Sequence, residues 1–159
     1  MKVSVDPYSA EWPRQFAAVR SQLRSALNDE RVAIEHIGST AVPGLCAKPV
    51  IDVLAGAESL TFFTNTIPRL AAEGYVYVDK YERELPMRRY FVKLPSALPR
   101  VHVHAVCERS DLWIEQLAFR DALRADQRLR DAYAELKRKL ALEHADTKAD
   151  YTAAKAPFI

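Results

Sequence analysis

Apolar residues recur along the chain with two periods, and the switches between them mark its elements. Trp12, Phe16, Val19, Leu23 and Leu27 stand four, three, four and four apart, which lines one face of a helix over about residues 10–28. Ser9 is placed to cap it, and Pro13 falls in the first turn, where its missing N–H has no intrahelical partner. Arg14, Arg20, Gln22 and Arg24 occupy the opposite face and are expected in solvent. Ahead of this helix, residues 2–5 read as a short edge strand. After it, residues 32–37 are short and β-branched, so a strand is predicted with Ile34 and His36 on one face and Glu35 and Ile37 on the other.

Small and turn-forming residues then run from Gly38-Ser39-Thr40 to Pro43-Gly44, and a strand pattern resumes at Pro49. Val50, Asp52 and Leu54 share one face of it. Residues 59–73 have helical spacing interrupted by Pro68, which predicts two short helices or one kinked piece, closed by Gly74 and followed by a strand at 75–78. Residues 79–86 are charged loop, and 87–94 form a strand with Arg89, Phe91 and Lys93 facing away from Arg88, Tyr90 and Val92. Strict alternation at 101–106 puts His102 and His104 on one face of a further strand.

The last third is helical. Ser110 or Asp111 caps a helix through about Arg124, with Trp113, Leu117 and Ala118 inward. A second helix over about 127–144 buries Leu129, Tyr133, Leu136 and Leu140 and exposes Arg130, Glu135, Lys137 and Lys139. Asp146 is placed to cap a final short helix carrying Tyr151 and Lys155.

Composition narrows the function classes. At 159 residues the chain has the length of one domain, residues 1–159, able to bury a core without a metal or disulfide staple. No apolar run approaches the roughly 20 residues of a membrane span. The start of the chain lacks the apolar stretch of a signal peptide, so a cytoplasmic location without membrane partners is expected. Cys46 and Cys107 are far apart with no CxxC spacing and are expected as free thiols. With 23 basic and 21 acidic residues, general nucleic-acid binding is not expected, and any anionic partner must be recognised locally.

Three features carry candidate chemistry. Backbone N–H groups at Gly38 and Ser39 form an anion site if a helical turn begins there. Asp52, inside an apolar strand, needs a partner, a metal or solvent, because an unpaired buried carboxylate costs several kcal/mol. His102 and His104 can ligate a metal, orient a carboxylate, transfer protons, or simply satisfy a polar face. Whether Asp52 lies on the neighbouring strand discriminates among these.

The run Glu-His-Ile-Gly-Ser-Thr-Ala-Val-Pro-Gly-Leu from Glu35, followed by Lys-Pro-Val-Ile-Asp-Val from Lys48, closely resembles the GrpB family of the nucleotidyltransferase superfamily. Trp12-Pro13, Arg89-Tyr90-Phe91, His102-Val103-His104, Phe119-Arg120-Asp121, Tyr133, Leu136-Lys137, Tyr151 and Lys155 extend the resemblance over nearly the whole chain. The family also occurs as an accessory domain fused to some dephospho-CoA kinases. The resemblance implies an α+β fold, with a nucleotidyltransferase-like mixed β-sheet flanked by an N-terminal helix and C-terminal helices. Active members of that superfamily hold nucleotide phosphates on a Gly-Ser turn and magnesium on an Asp-x-Asp pair and a later carboxylate.

Carried over, Gly38 and Ser39 match the phosphate turn and Asp52 the first metal carboxylate, but position 54 is Leu and the later strand offers His102 and His104. The implied cofactor is a divalent ion, magnesium, manganese or zinc, on Asp52, His102 and His104; imidazoles suit zinc, manganese or iron, or proton transfer without metal. Lys48 and Arg89 would bring charge to a phosphate. The leading expectation is a nucleotidyltransferase-like enzyme acting on a nucleotide or small phosphorylated metabolite, with Asp52, His102 and His104 catalytic. The alternative is a non-catalytic nucleotide-binding accessory module of the same fold.

Overall fold

The structure, a computed structural model, describes residues 5–143. The first helix, α1 (Glu11–Leu27), forms where the apolar spacing places it, and all five stripe residues are buried. Ser9 acts one residue outside the expected cap: Ala10 is the N-cap, while the Ser9 hydroxyl accepts from the Glu11 N–H at 3.2 Å. Asn28 ends the helix in the left-handed region, its N–H bonded to the Arg24 carbonyl. The polar face is less solvated than expected. Gln22 is half-buried, accepting from Tyr75 Oη and Lys93 Nζ at 3.3 Å each, and the half-buried Arg24 donates to the Val32 carbonyl.

Five strands follow: β1 (Ala33–Ile37), β2 (Val50–Ala57), β3 (Val76–Val78), β4 (Arg88–Lys93) and β5 (Arg100–Cys107). They form one mixed sheet in the order β1-β2-β5-β4-β3, with β2 and β5 parallel and every other pair antiparallel. Pro68 divides the segment before β3 as expected, into α2 (Leu60–Asn65) and α3 (Ile67–Ala72), joined by the buried Thr66, whose hydroxyl donates to the Phe63 carbonyl. Most of the edge strand expected at residues 2–5 lies outside the described residues; beyond it Asp6 exchanges backbone bonds of 2.8 and 2.9 Å with Ala47.

Helices α1 to α3 cover one face of the sheet, closing the main core over Ile51, Val53, Phe91, Val101 and Val103. Each such fully buried side chain contributes about 1.5–3 kcal/mol relative to exposure. The other face receives α4 (Asp111–Ala125), capped by the Ser110 hydroxyl, and α5 (Gln127–Glu143) packs on α4 and on the turn after β1, Tyr133 and Ala134 meeting Leu123, Val42 and Leu45. Trp113 packs there on Ile37, Leu54 and Val106. Two assignments on these helices change. Ala118 is exposed, and the inward row continues through Phe119 and Leu123. Lys137 is buried, its ammonium donating to the Cys46 carbonyl at 2.6 Å and lying over the Tyr133 ring. The expected helix carrying Tyr151 and Lys155 lies outside the described residues. Both cysteines are free thiols, Cys46 buried. Among the described residues no helix is long and apolar enough to cross a membrane.

Candidate functional site

The chain leaves β1 at Gly38, whose φ of 76° is costly for any residue with a Cβ. Space is a second reason for glycine: a Cβ here would lie 2.6 Å from the Asp52 Oδ2. A single 3-10 turn, Ser39–Ala41, follows, its bonds donated by the Ala41 and Val42 N–H groups to Gly38 and Ser39 carbonyls. The N–H groups of Ser39 and Thr40 precede the first of these bonds, as at any helical start. Thr40 fastens the turn to β2, donating to the Val50 carbonyl at 3.0 Å and accepting from His36 Nε2 at 2.9 Å. His36 is buried and stacked on Phe16, with ring centroids 4.6 Å apart. Burial pulls its pKa down to about 4; Asp52 opposes this, and Arg124 and Arg120 add to it.

Asp52 lies directly between Ile37 on β1 and His102 on β5, so it is on the strand next to both histidines. Its Oδ1 accepts from His104 Nε2 at 3.2 Å and lies 3.6 Å from His102 Nδ1. The far nitrogen of each imidazole meets an arginine. Arg100 Nε is 2.8 Å from His102 Nε2, and Arg88 Nη1 is 3.1 Å from His104 Nδ1. Tyr90 packs between, its ring 5.2 Å from that of His104 and under the Arg88 guanidinium. Burial, with Asp52 adding to it, pushes the Tyr90 hydroxyl up to about 12.

A cavity of about 210 Å³ opens between this cluster and the C-terminal helices, lined by Gly38, Ser39, Asp52, His104, Arg120 and Tyr133 among others. Arg120 reaches back from α4 to Glu35 Oε2 at 2.7 Å and the His36 carbonyl at 3.2 Å, and sideways to Asp121. Burial alone would lower its pKa, but the bonds to Glu35 and Asp121 prevail and hold it above the ordinary value. Phe119 and Tyr133 meet edge to face at 5.8 Å and supply an aromatic wall. A larger cavity, about 480 Å³, lies at the other end of β2 near Glu58 and Glu108 and shares no residue with this site.

Gly38, Ser39, Asp52 and His104 therefore converge on one cavity, with His102 beside Asp52. Lys48 lies two residues before β2 and does not line the cavity. Arg89 sits opposite Ala105 on the other face of the sheet, bonded to the Pro86 carbonyl and paired with Glu82, so it cannot reach a phosphate here. The arginine on the site face is Arg88, and the alternation along β4 already separated the two. Arg100 shares the parity of His102 and His104. Arg120 carried no such signal, because its partner Glu35 is far away in sequence.

The metal expectation does not fit this donor set. Among the described residues no group of three or more His, Cys, Asp or Glu is arranged to hold a metal ion. The second carboxylate position, Leu54, is fully buried against Ile37 and Trp113. An imidazole that ligates a metal must present an N–H on its other nitrogen. Here those outer nitrogens face arginine N–H groups, which only donate.

Comparison with known proteins places this geometry among relatives. The family model described as "GrpB protein" matches residues 2–159. The UPF0157 protein YqkA of Bacillus subtilis is 35% identical over 99% of this chain, which spans 45% of that protein's length. A dephospho-CoA kinase of Mycolicibacterium paratuberculosis is 31% identical over 98% of this chain and 44% of its own. The crystal structure of the conserved protein GrpB from Enterococcus faecalis superposes with a TM-score of 0.86 at 34% identity, covering 98% of this chain and 92% of that one. The Cid1 poly(U) polymerase bound to MgGTP gives 0.62 at 16% identity, over 94% of this chain and 50% of that one. At that identity the likeness establishes a nucleotidyltransferase-like fold and nothing finer.

Proposed function

The chain belongs to the GrpB family, and on that premise we propose that it binds a nucleotide or small phosphorylated metabolite in the cavity beside Gly38 and Ser39, as a ligand-binding module. What carries the reading is the juxtaposition, around one cavity, of the Ser39 turn, the Arg120 guanidinium and the Asp52 carboxylate. The turn's leading N–H groups and Arg120 suit a phosphate, Asp52 suits a hydroxyl or amine donor, and Phe119 with Tyr133 suits an apolar or ring-shaped part. Charge limits the ligand further. Arg120 already serves Glu35 and Asp121, and Asp52 repels anions, so a single phosphate is favoured over a triphosphate.

A second reading, a group-transfer enzyme, is favoured by one observation: Asp52 is held by His104 at the cavity edge, where a carboxylate can accept the proton of an attacking hydroxyl. Fusion to dephospho-CoA kinases makes dephospho-CoA a ligand worth including. The present sequence contains no G-x-x-x-x-G-K-[S/T] loop of the kind that cradles ATP phosphates, so the proposed role is ligand binding rather than the kinase step.

Calorimetric titration with nucleoside mono-, di- and triphosphates, sugar phosphates and dephospho-CoA tests this, alongside ³¹P NMR of each mixture. Saturable binding that is lost in Arg120→Gln, with the phosphorus spectrum unchanged over hours, is the expected result. Turnover abolished by Asp52→Asn would establish the enzyme reading instead. No binding anywhere in the panel would overturn both.

A further inference from the structure

Five side chains on one face of the sheet stand in a row across three strands: Arg100, His102, Asp52, His104, Arg88. The links are 2.8 Å from Arg100 Nε to His102 Nε2, 3.6 Å from His102 Nδ1 to Asp52 Oδ1, 3.2 Å from Asp52 Oδ1 to His104 Nε2, and 3.1 Å from His104 Nδ1 to Arg88 Nη1. Register enforces the arrangement. Asp52 is opposite His102 in the parallel pair, Tyr90 is opposite His104 in the antiparallel pair, and Arg100 and Arg88 take the same face by alternation.

The donor inventory fixes the protons. Arginine has five N–H donors and no acceptor, so the imidazole nitrogen it meets must offer a lone pair. A neutral imidazole carries its one N–H on the other nitrogen. His102 is therefore held with its proton on Nδ1 and His104 with its proton on Nε2, the nitrogens that lie 3.6 and 3.2 Å from the same Asp52 oxygen. Each arginine meets the imidazole nitrogen that faces away from Asp52.

We infer that Arg88 and Arg100 are positioning residues that lock His104 and His102 into opposite tautomers, turning the metal-carboxylate corner of this fold into a metal-refusing acceptor for a ligand hydroxyl or amine. Ligation by either imidazole would require the nitrogen facing Asp52 to give up its proton and the nitrogen facing arginine to gain one. Two N–H groups would then confront each other at about 3 Å, and the arginine would lose its acceptor. The inference concerns the cavity assigned above but needs no knowledge of its ligand.

Long-range ¹H–¹⁵N correlation spectra of protein labelled with ¹⁵N-histidine read the tautomers directly. The expected spectrum shows His102 protonated on Nδ1 alone and His104 on Nε2 alone, with neither resonance broadened by an equivalent of Mn²⁺ or shifted by Zn²⁺. In Arg88→Met, His104 should become a tautomer mixture while His102 is unchanged; Arg100→Met should do the reverse. The double variant should bind Zn²⁺ at least about tenfold more tightly than the wild type, the scale on which groups behind metal ligands act. Arg88→Lys, which still donates, should keep the His104 tautomer. The inference is overturned if wild-type histidines show the opposite tautomers, or if Mn²⁺ broadens them at one equivalent. The wild-type spectra alone decide this if a variant fails to fold.

Discussion

Lowering the pH from 7 towards 4 should destabilise this protein through His36. The ring lies in the core against Phe16 and donates through Nε2 to Thr40, and burial holds its pKa near 4 against an ordinary value of 6.5. Above pH 6.5 the residue is neutral folded or unfolded and contributes nothing to the pH dependence. Between 6.5 and 4 the unfolded chain takes up a proton that the native state refuses, so stability falls as the pH falls. Below about 4 both states are protonated and the loss is complete. A gap of about 2.5 units at 1.36 kcal/mol each amounts to about 3 kcal/mol, of which about 1.4 is lost by pH 5.5. That is a large share of the 5–15 kcal/mol typical of a domain. Urea unfolding at half-unit steps from pH 7.5 to 4, on the wild type and His36→Gln, isolates the effect, because carboxylates titrate alike in both proteins. The wild type should lose about 3 kcal/mol more than the variant across that window. Parallel curves would refute the reasoning.

Three further outcomes follow from other contacts. Gly38→Ala should cost about 2 kcal/mol, read as a drop of several degrees in Tm, since the new Cβ meets a positive φ and the Asp52 carboxylate together. Lys137→Ala should cost about 2–4 kcal/mol by chemical denaturation, because the Cys46 carbonyl loses its buried donor and a cavity opens beside Tyr133. Gly56→Ala should cost about 1–3 kcal/mol and blue- or red-shift the Trp113 emission, as its Cβ would come within 2.7 Å of that indole.

Much of this architecture is written locally. The stripe on α1, the break at Pro68 and the alternation that puts His102 and His104 on one face all depend on near neighbours, so they could be read from spacing. The site depends on more than spacing. That Asp52 meets the histidines follows from β2 pairing parallel with β5, across some fifty intervening positions, and no local pattern states that pairing. That Arg88, and not Arg89, stands on the Asp52 face was hidden for the same reason: parity separated them, but only the register with β5 shows which parity faces Asp52. Lys137 looked like one more surface charge because helical period assigns a face by average polarity. Its burial is decided by a carbonyl at Cys46 that only the fold brings near. Gln22 was misplaced likewise, its partners Tyr75, just before β3, and Lys93, at the end of β4, being far away in sequence.

The parallel pairing of β2 with β5 also makes this pocket a late product of folding. All of α2, α3, β3 and β4 lies between Asp52 and its imidazole partners in the chain, and closing so long a loop must precede any contact between them. A refolding chain can complete α1 and the β1–β2 hairpin early, with the Ser39 turn already shaped, while the carboxylate still faces water. Tautomer order at His102 and His104 is then a chronometer for the final docking of β5, the strand that joins β2 to β4.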